Sequence, residues 1–271
     1  MIWVSRSIVQ SSTRVFRRYF FGVATTVLLF GSVEESLALS RDKITKIAYQ
    51  TTVVIAQGLK KSDLESRREF NPGSGVIVAR TGRIYYVLTA LHVVRTRDVI
   101  YGIRTSDGEV HSVDDVDTHS NIIPFGTELE TLPTTIQGYD LAIVKFESDR
   151  TYAAIPIGES SALKPGDKLF VSGYPDPNHT ASQRQHQLSE GTLTQILSSP
   201  SPDGGYSLLY TNPTKRGMSG GAVLNENGEL IGIHGRGRGQ SSCHNSEAGN
   251  RNSCGMQIKS LLTRLNVILK G

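Results

Sequence analysis

Cysteine is scarce in this chain: Cys243 and Cys254 are the only two in 271 residues. So few thiols exclude a disulfide-dense scaffold, and with no His-x-x-x-His spacing they leave no basis for a structural zinc site. Long apolar runs are also missing. The longest lies at Phe20 to Phe30, broken by Gly22, Thr25 and Thr26. That is roughly half of the ~20 apolar residues a bilayer-spanning helix needs. Charge of one sign is lacking too, with 29 Lys and Arg against 25 Asp and Glu. Four of those arginines and two of the glutamates fall in residues 1–38, and the remainder carries 25 basic against 23 acidic groups. Such a balance gives no case for a nucleic-acid partner. Helical periodicity is absent over most of the chain.

The leader has an order of its own. Arg6, Arg14, Arg17 and Arg18 precede any acidic residue, the short apolar run follows, and Ser36-Leu37-Ala38 supplies a small-x-small site. Basic, apolar and small segments in that sequence read as a secretory signal. The expectation is export to the periplasm or medium, cleavage after Ala38, and no stable membrane anchor afterwards. Arg17-Arg18 before the apolar run hints at twin-arginine export. In an exported protein Cys243 and Cys254 read as one disulfide, with two free surface thiols as the alternative.

Residues 39–271 are long enough for one large β domain or two small ones sharing a core. Arg41 to Gln50 fits a short helix and Thr51 to Ala56 a strand, and Gln57 to Asn71 reads as an exposed charged loop. Short β-branched and aromatic runs then recur between Gly, Pro, Asn and Asp, which argues for an all-β barrel or sandwich. A midpoint falls near 148–158. The exception is Met256 to Leu269, where Ile258, Leu261, Leu262, Leu265 and Val267 predict a closing amphipathic helix.

Three stretches carry chemistry. In Gly217-Met218-Ser219-Gly220-Gly221 a serine stands on a glycine-rich turn, leaving the N–H groups of Gly217 and Ser219 unshielded. Two such donors beside a hydroxyl suit the oxyanion of an acyl-transfer transition state. The same pentapeptide fits a G-x-S-x-G elbow, whose partners follow the serine. Only about fifty residues follow Ser219, so its partners are expected upstream. There, His92 lies in the turn after the strand ending Leu88-Thr89, and Asp140 heads the apolar run Leu141 to Phe146. A carboxylate at a buried strand edge needs a partner, and a histidine N–H is one.

Taken together, T-A-L-H-V-V, Y-D-L-A-I-V-K-F and G-M-S-G-G-A-V, in that order, closely resemble trypsin-like serine proteases. The resemblance spans about residues 50 to 268. It implies two six-stranded antiparallel β-barrels with the active site between them, polypeptide substrates and no cofactor or metal. Ser219 is then the nucleophile, His92 the base, Asp140 its orienting group, and Gly217 and Ser219 the oxyanion hole. Within the family, V-S-G-Y-P at Val171 to Pro175 and I-G-I-H at Ile231 to His234 resemble the bacterial glutamyl endopeptidases. In that branch the positions of Thr214 and His234 bind an acidic side chain before the scissile bond. Pro213 stands where trypsin-type pockets carry an aspartate, which removes the basis for Lys or Arg preference. Met218 replaces an aspartate used in zymogen activation. The alternative reading is an inactive protease fold used as a binding module. A protease with an appended peptide-binding domain is not expected from the length given.

Overall fold

The computed structural model describes residues 38–65, 67, 70–114, 119–129, 131–178, 182–239, 243 and 252–261. The leader before Ala38 and the expected helix beyond Leu261 lie outside them. By its contacts the chain divides into residues 1–35 and 36–271, and the described residues all belong to the second unit. None of the described helices is long and apolar enough to cross a membrane.

Helix α1 (Arg41–Thr51) starts where the Ser40 side chain accepts from Lys43 N, with Asp42 in the first turn. It buries Ile44, Ala48 and Thr51, and its C-cap Thr52 turns extended to open the first strand. Leu39 N donates to Glu226 O, which seats this end of the chain on a distant turn.

Seven strands form one antiparallel sheet. They are β1 (Thr52–Gln57), β2 (Gly73–Thr81), β3 (Ile84–Thr89), β4 (Tyr101–Arg104), β5 (Val110–Val113), β6 (Ile122–Leu129) and β7 (Leu132–Glu147), ordered β5-β4-β1-β2-β3-β7-β6. Six more close a barrel: β8 (Lys168–Gly173), β9 (Gln187–Ile196), β10 (Leu208–Tyr210), β11 (Ala222–Leu224), β12 (Leu230–Arg236) and β13 (Ser253–Gln257).

Period-2 alternation then builds the larger cores among the described residues. Along β7, Ala142, Val144 and Phe146 join a core with Ile55, Ile77 and Val87, while Leu141 and Ile143 face the opposite way. In β8, Leu169 and Val171 fill the barrel interior with Leu193 and Val223, and Phe170 faces outward. The two outward faces meet: Val76, Leu88, Leu141 and Ile143 pack with Phe170, Ala222, Ile233 and Met256. Each of these side chains larger than alanine contributes about 1.5–3 kcal/mol by burial. Residues at the rim of this shared core are therefore held by both sheets.

Three expectations need correction. The first sheet has seven strands and a curled, open order, where a second six-stranded barrel was expected. Met256 and Gln257 belong to β13 and Ile258–Leu261 is a 3-10 turn, so the closing helix does not begin where its periodicity predicts. The charged segment after Gln57 is not wholly exposed, because Glu65 is buried against Arg104. Cys243 and Cys254 form a disulfide, with Cα atoms 5.5 Å apart.

Candidate active site

β3 and β7 pair with Thr89 opposite Ala142, which brings the end of one strand beside Asp140 of the other. The chain then makes a 3-10 turn over Leu91–Val93, closed by Val93 N donating to Ala90 O at 3.1 Å. Leu91 and Val93 are buried, so the His92 side chain between them turns to the rim, where it is 18% exposed.

Asp140 lies well inside β7, not at its head, and is fully buried. Its Oδ1 accepts from His92 N at 2.9 Å and its Oδ2 pairs with His92 Nδ1 at 2.6 Å. The Tyr206 hydroxyl donates to the same Oδ2. Burial alone pushes the carboxyl upward. The His92 charge and the hydrogen bonds from His92 and Tyr206 outweigh it and lower Asp140 to about 2.

Ser219 sits on the turn between β10 and β11. Gly217 has φ +91°, a left-handed conformation that favours glycine. Two carbonyls of this turn are captured by Ser74 at the start of β2: its N–H donates to Ser219 O at 2.8 Å and its hydroxyl to Gly217 O at 2.8 Å. Gly220 N donates to His234 O at 2.8 Å. The N–H groups of Gly217 and Ser219 find no acceptor among the described residues. Ser219 Oγ donates to Gly235 O at 3.1 Å, and among the described residues no hydrogen bond joins it to His92. The serine turn nevertheless lies against the histidine turn, since an ideal Cβ on Gly220 would come within 2.9 Å of Ala90 N.

Behind the turn is a network with no local pattern to announce it. Arg184, almost wholly buried, donates to Glu65 O at 2.6 Å, to Tyr174 O at 3.1 Å and to Asp176. Asp176 N in turn holds Arg216 O at 2.8 Å, just before Gly217. Met218, which stands where a zymogen-activation aspartate would be, is buried in the barrel core with Leu169 and Val171.

His234 is buried on β12, opposite Gly255 of β13, with Nδ1 2.7 Å from the Tyr210 hydroxyl. Burial chiefly, and the charge of His92 secondarily, lower it to about 3, against a backbone hydrogen bond at Cys254. It is therefore a neutral imidazole at ordinary pH. Thr214 Oγ1 lies 3.1 Å from Ser253 Oγ, two residues along β13 from Gly255. Thr214 and His234 thus flank the same stretch of β13, and no hydrogen bond joins them among the described residues. No group of three or more His, Cys, Asp or Glu that could hold a metal occurs among the described residues.

A model of the trypsin-like peptidase domain matches residues 73–233, from the strand bearing Ser74 to the residue before His234. The chain belongs to the trypsin-like peptidase family. Members similar to it include exfoliative toxin A of Staphylococcus aureus, 32% identical over 104 residues, covering 36% of this chain and 33% of the toxin. The periplasmic serine endoprotease DegP of Escherichia coli is 31% identical over 169 residues, covering 60% of this chain and 29% of DegP. Serine endoprotease DegS of the same organism is 26% identical over 212 residues, covering 76% of this chain and 51% of DegS. The chain thus spans between about a third and a half of these relatives. Among solved structures, the HtrA-type protease AlgW, solved with a tripeptide, superposes with TM-score 0.58 at 18% identity, over 85% of this chain and 64% of that one. These matches establish the trypsin-like family and its fold, and not the glutamyl endopeptidase branch.

Proposed function

We propose that this trypsin-like peptidase is an exported serine endopeptidase acting through Ser219, His92 and Asp140. One observation carries the reading: the buried Asp140 carboxylate grips His92 at both its N–H and its Nδ1, beside a serine turn with two N–H groups that have no acceptor among the described residues. Asp140 fixes the tautomer, leaving His92 Nε2 to take the Ser219 proton. In this mechanism Ser219 Oγ exchanges its hydrogen bond to Gly235 O for one to that nitrogen. Oγ attacks the scissile carbonyl, and the Gly217 and Ser219 N–H groups receive the oxyanion, each worth roughly 3–4 kcal/mol of barrier. His92 then protonates the leaving amine, and water releases the acyl group by the same steps. Residues 1–38 serve as the export signal, and 39–271 form the protease domain. Peptide hydrolysis by the wild type, lost in Ser219→Ala with the fold retained, is the expected result. A Ser219→Ala variant as active as wild type overturns the assignment.

The substrate side chain before the scissile bond is acidic in this reading. Because His234 is held neutral, its contribution is a hydrogen bond and not a formal charge, made by exchanging its backbone contact at Cys254 for the substrate carboxylate, with the Thr214 hydroxyl adding a second. Hydrogen bonds to a charged group are worth about 1.5–3 kcal/mol each, so two give roughly a hundredfold preference over alanine. Matched peptides with Glu, Ala or Lys at that position test it. Equal rates overturn the pocket assignment, and His234→Ala is expected to erase the Glu preference.

A further inference from the structure

We infer that Tyr206 is a positioning residue for the His92–Asp140 pair, reaching it through space that Gly235 leaves open. The inference rests on the catalytic reading above and adds a residue to it. The Tyr206 side chain is fully buried, and its hydroxyl donates to Asp140 Oδ2, the oxygen that also pairs with His92 Nδ1. Burial, and then the Asp140 charge, raise this phenol well above its ordinary value, so it stays a protonated donor.

The placement is tethered and not incidental. Asp140 N donates to Gly204 O at 2.9 Å, Gly204 N donates to Ile136 O at 2.8 Å, and Ile136 N donates to Asp203 Oδ1 at 2.9 Å. The segment before Tyr206 is thereby laced to β7 at Ile136 and at Asp140 itself. Tyr206 O accepts from Ser201 N at 2.8 Å, and Ser207 N donates to Gly255 O at 3.0 Å. The tyrosine is therefore fixed to the first sheet and to the barrel together.

Gly235 completes the device. Its φ is not in the left-handed region, so its backbone conformation does not call for glycine. A Cβ there would overlap the Tyr206 ring. The ring is what excludes a side chain, and the same Gly235 offers its carbonyl to Ser219 Oγ at 3.1 Å. Tyr206 thus packs between the carboxylate that orients the base and the backbone beside the nucleophile.

The charged and titratable groups around this pair are His92 and Arg236, with Asp203 acting on Tyr206 and the His92 charge reaching His234. The Tyr206 hydroxyl draws negative charge from Oδ2. Without it the carboxylate favours the His92 imidazolium more strongly, and the acid limb of the rate profile moves to higher pH.

The test is Tyr206→Phe, which keeps the ring and removes the donor, beside Tyr85→Phe, which removes another buried hydroxyl, one that donates to Arg150 O at 2.7 Å. Tyr206→Phe is expected to lower kcat about tenfold with KM within about twofold, and to move the acid limb upward. Tyr85→Phe is expected to change neither. An unchanged kcat and limb in Tyr206→Phe overturn the inference. Proton NMR of the His92 Nδ1–H gives a readout that needs no turnover: its resonance shifts in Tyr206→Phe, and an unmoved resonance overturns the inference even in a protein that hydrolyses nothing. Inactivity of the wild type, by contrast, counts against the catalytic reading alone. Should Tyr206→Phe fail to fold, 3-fluorotyrosine at position 206, a stronger donor of nearly equal size, moves the acid limb downward. No movement there overturns the inference.

Discussion

The Ser74 hydroxyl donates to the Gly217 carbonyl at 2.8 Å, across 143 residues of sequence and from the first sheet to the barrel. The same hydroxyl accepts from Tyr174 N at 2.9 Å, and Ser74 N donates to Ser219 O. One small residue, through its hydroxyl and its own N–H, therefore turns two carbonyls of the serine turn one way, while the N–H groups of Gly217 and Ser219 find no acceptor among the described residues. Ser74→Ala is expected to leave Gly217 O and Tyr174 N unpaired in a buried place. The cost is about 1–3 kcal/mol of stability, with kcat falling about tenfold and KM changing little. Denaturant titration and steady-state kinetics on the one variant check both.

Arg184 braces the same turn from behind, through Tyr174, Asp176 and then Arg216. Arg184→Met keeps much of its volume and removes its charge. Breaking a buried ion pair by deleting one partner costs about 3–5 kcal/mol. Here Asp176 is about a third exposed, so the low end of that range is expected. A loss below about 1 kcal/mol in urea unfolding contradicts this account of the network.

Much of the site could be read from residue order alone. His92, Asp140 and Ser219 each stand in a local pattern with a physical reason: a strand end, a buried edge and a glycine turn. Their neighbours do not. Tyr206 follows two glycines in a segment with no pattern, and its partner lies 66 positions away. Arg184 sits in a polar stretch that looks solvated until Glu65, Tyr174 and Asp176 surround it. The strands show the same division. β1 to β5 carry dense β-branched runs, whereas β6 and the first half of β7 include Pro124, Gly126 and Gly138 with register shifts, and resemble loops. Pro124 is accommodated beside such a shift, where a missing N–H costs least. β13 reads Ser-Cys-Gly-Met-Gln, and becomes a strand only because Tyr210 and His234 pair with it from both sides.

One half-buried histidine, His186, and one buried histidine, His234, set the acid sensitivity. Burial lowers His186 to about 4 and His234 to about 3. An unfolded histidine titrates near 6.5. Between those values the unfolded chain binds protons that the folded chain refuses, so stability is present above about pH 6.5 and is lost as pH falls. Each group contributes a slope of about 1.4 kcal/mol per pH unit within its window. Asp140 adds its own loss only lower, between its ordinary value near 3.8 and about 2. His186→Gln retains a partner for Ser172 Oγ and is expected to flatten the pH 4 to 6.5 slope by about half. An unchanged slope in thermal or urea unfolding contradicts this source of acid sensitivity.

Intact-mass analysis after reaction with a fluorophosphonate tests the central claim most directly, because the reagent needs an activated serine and no knowledge of the substrate. The wild type is expected to gain one phosphonyl group, mapped to Ser219, while Ser219→Ala gains none and His92→Ala reacts far more slowly. A folded wild-type protein that stays unlabelled, or is labelled elsewhere, contradicts the assignment of Ser219 as nucleophile and His92 as its base.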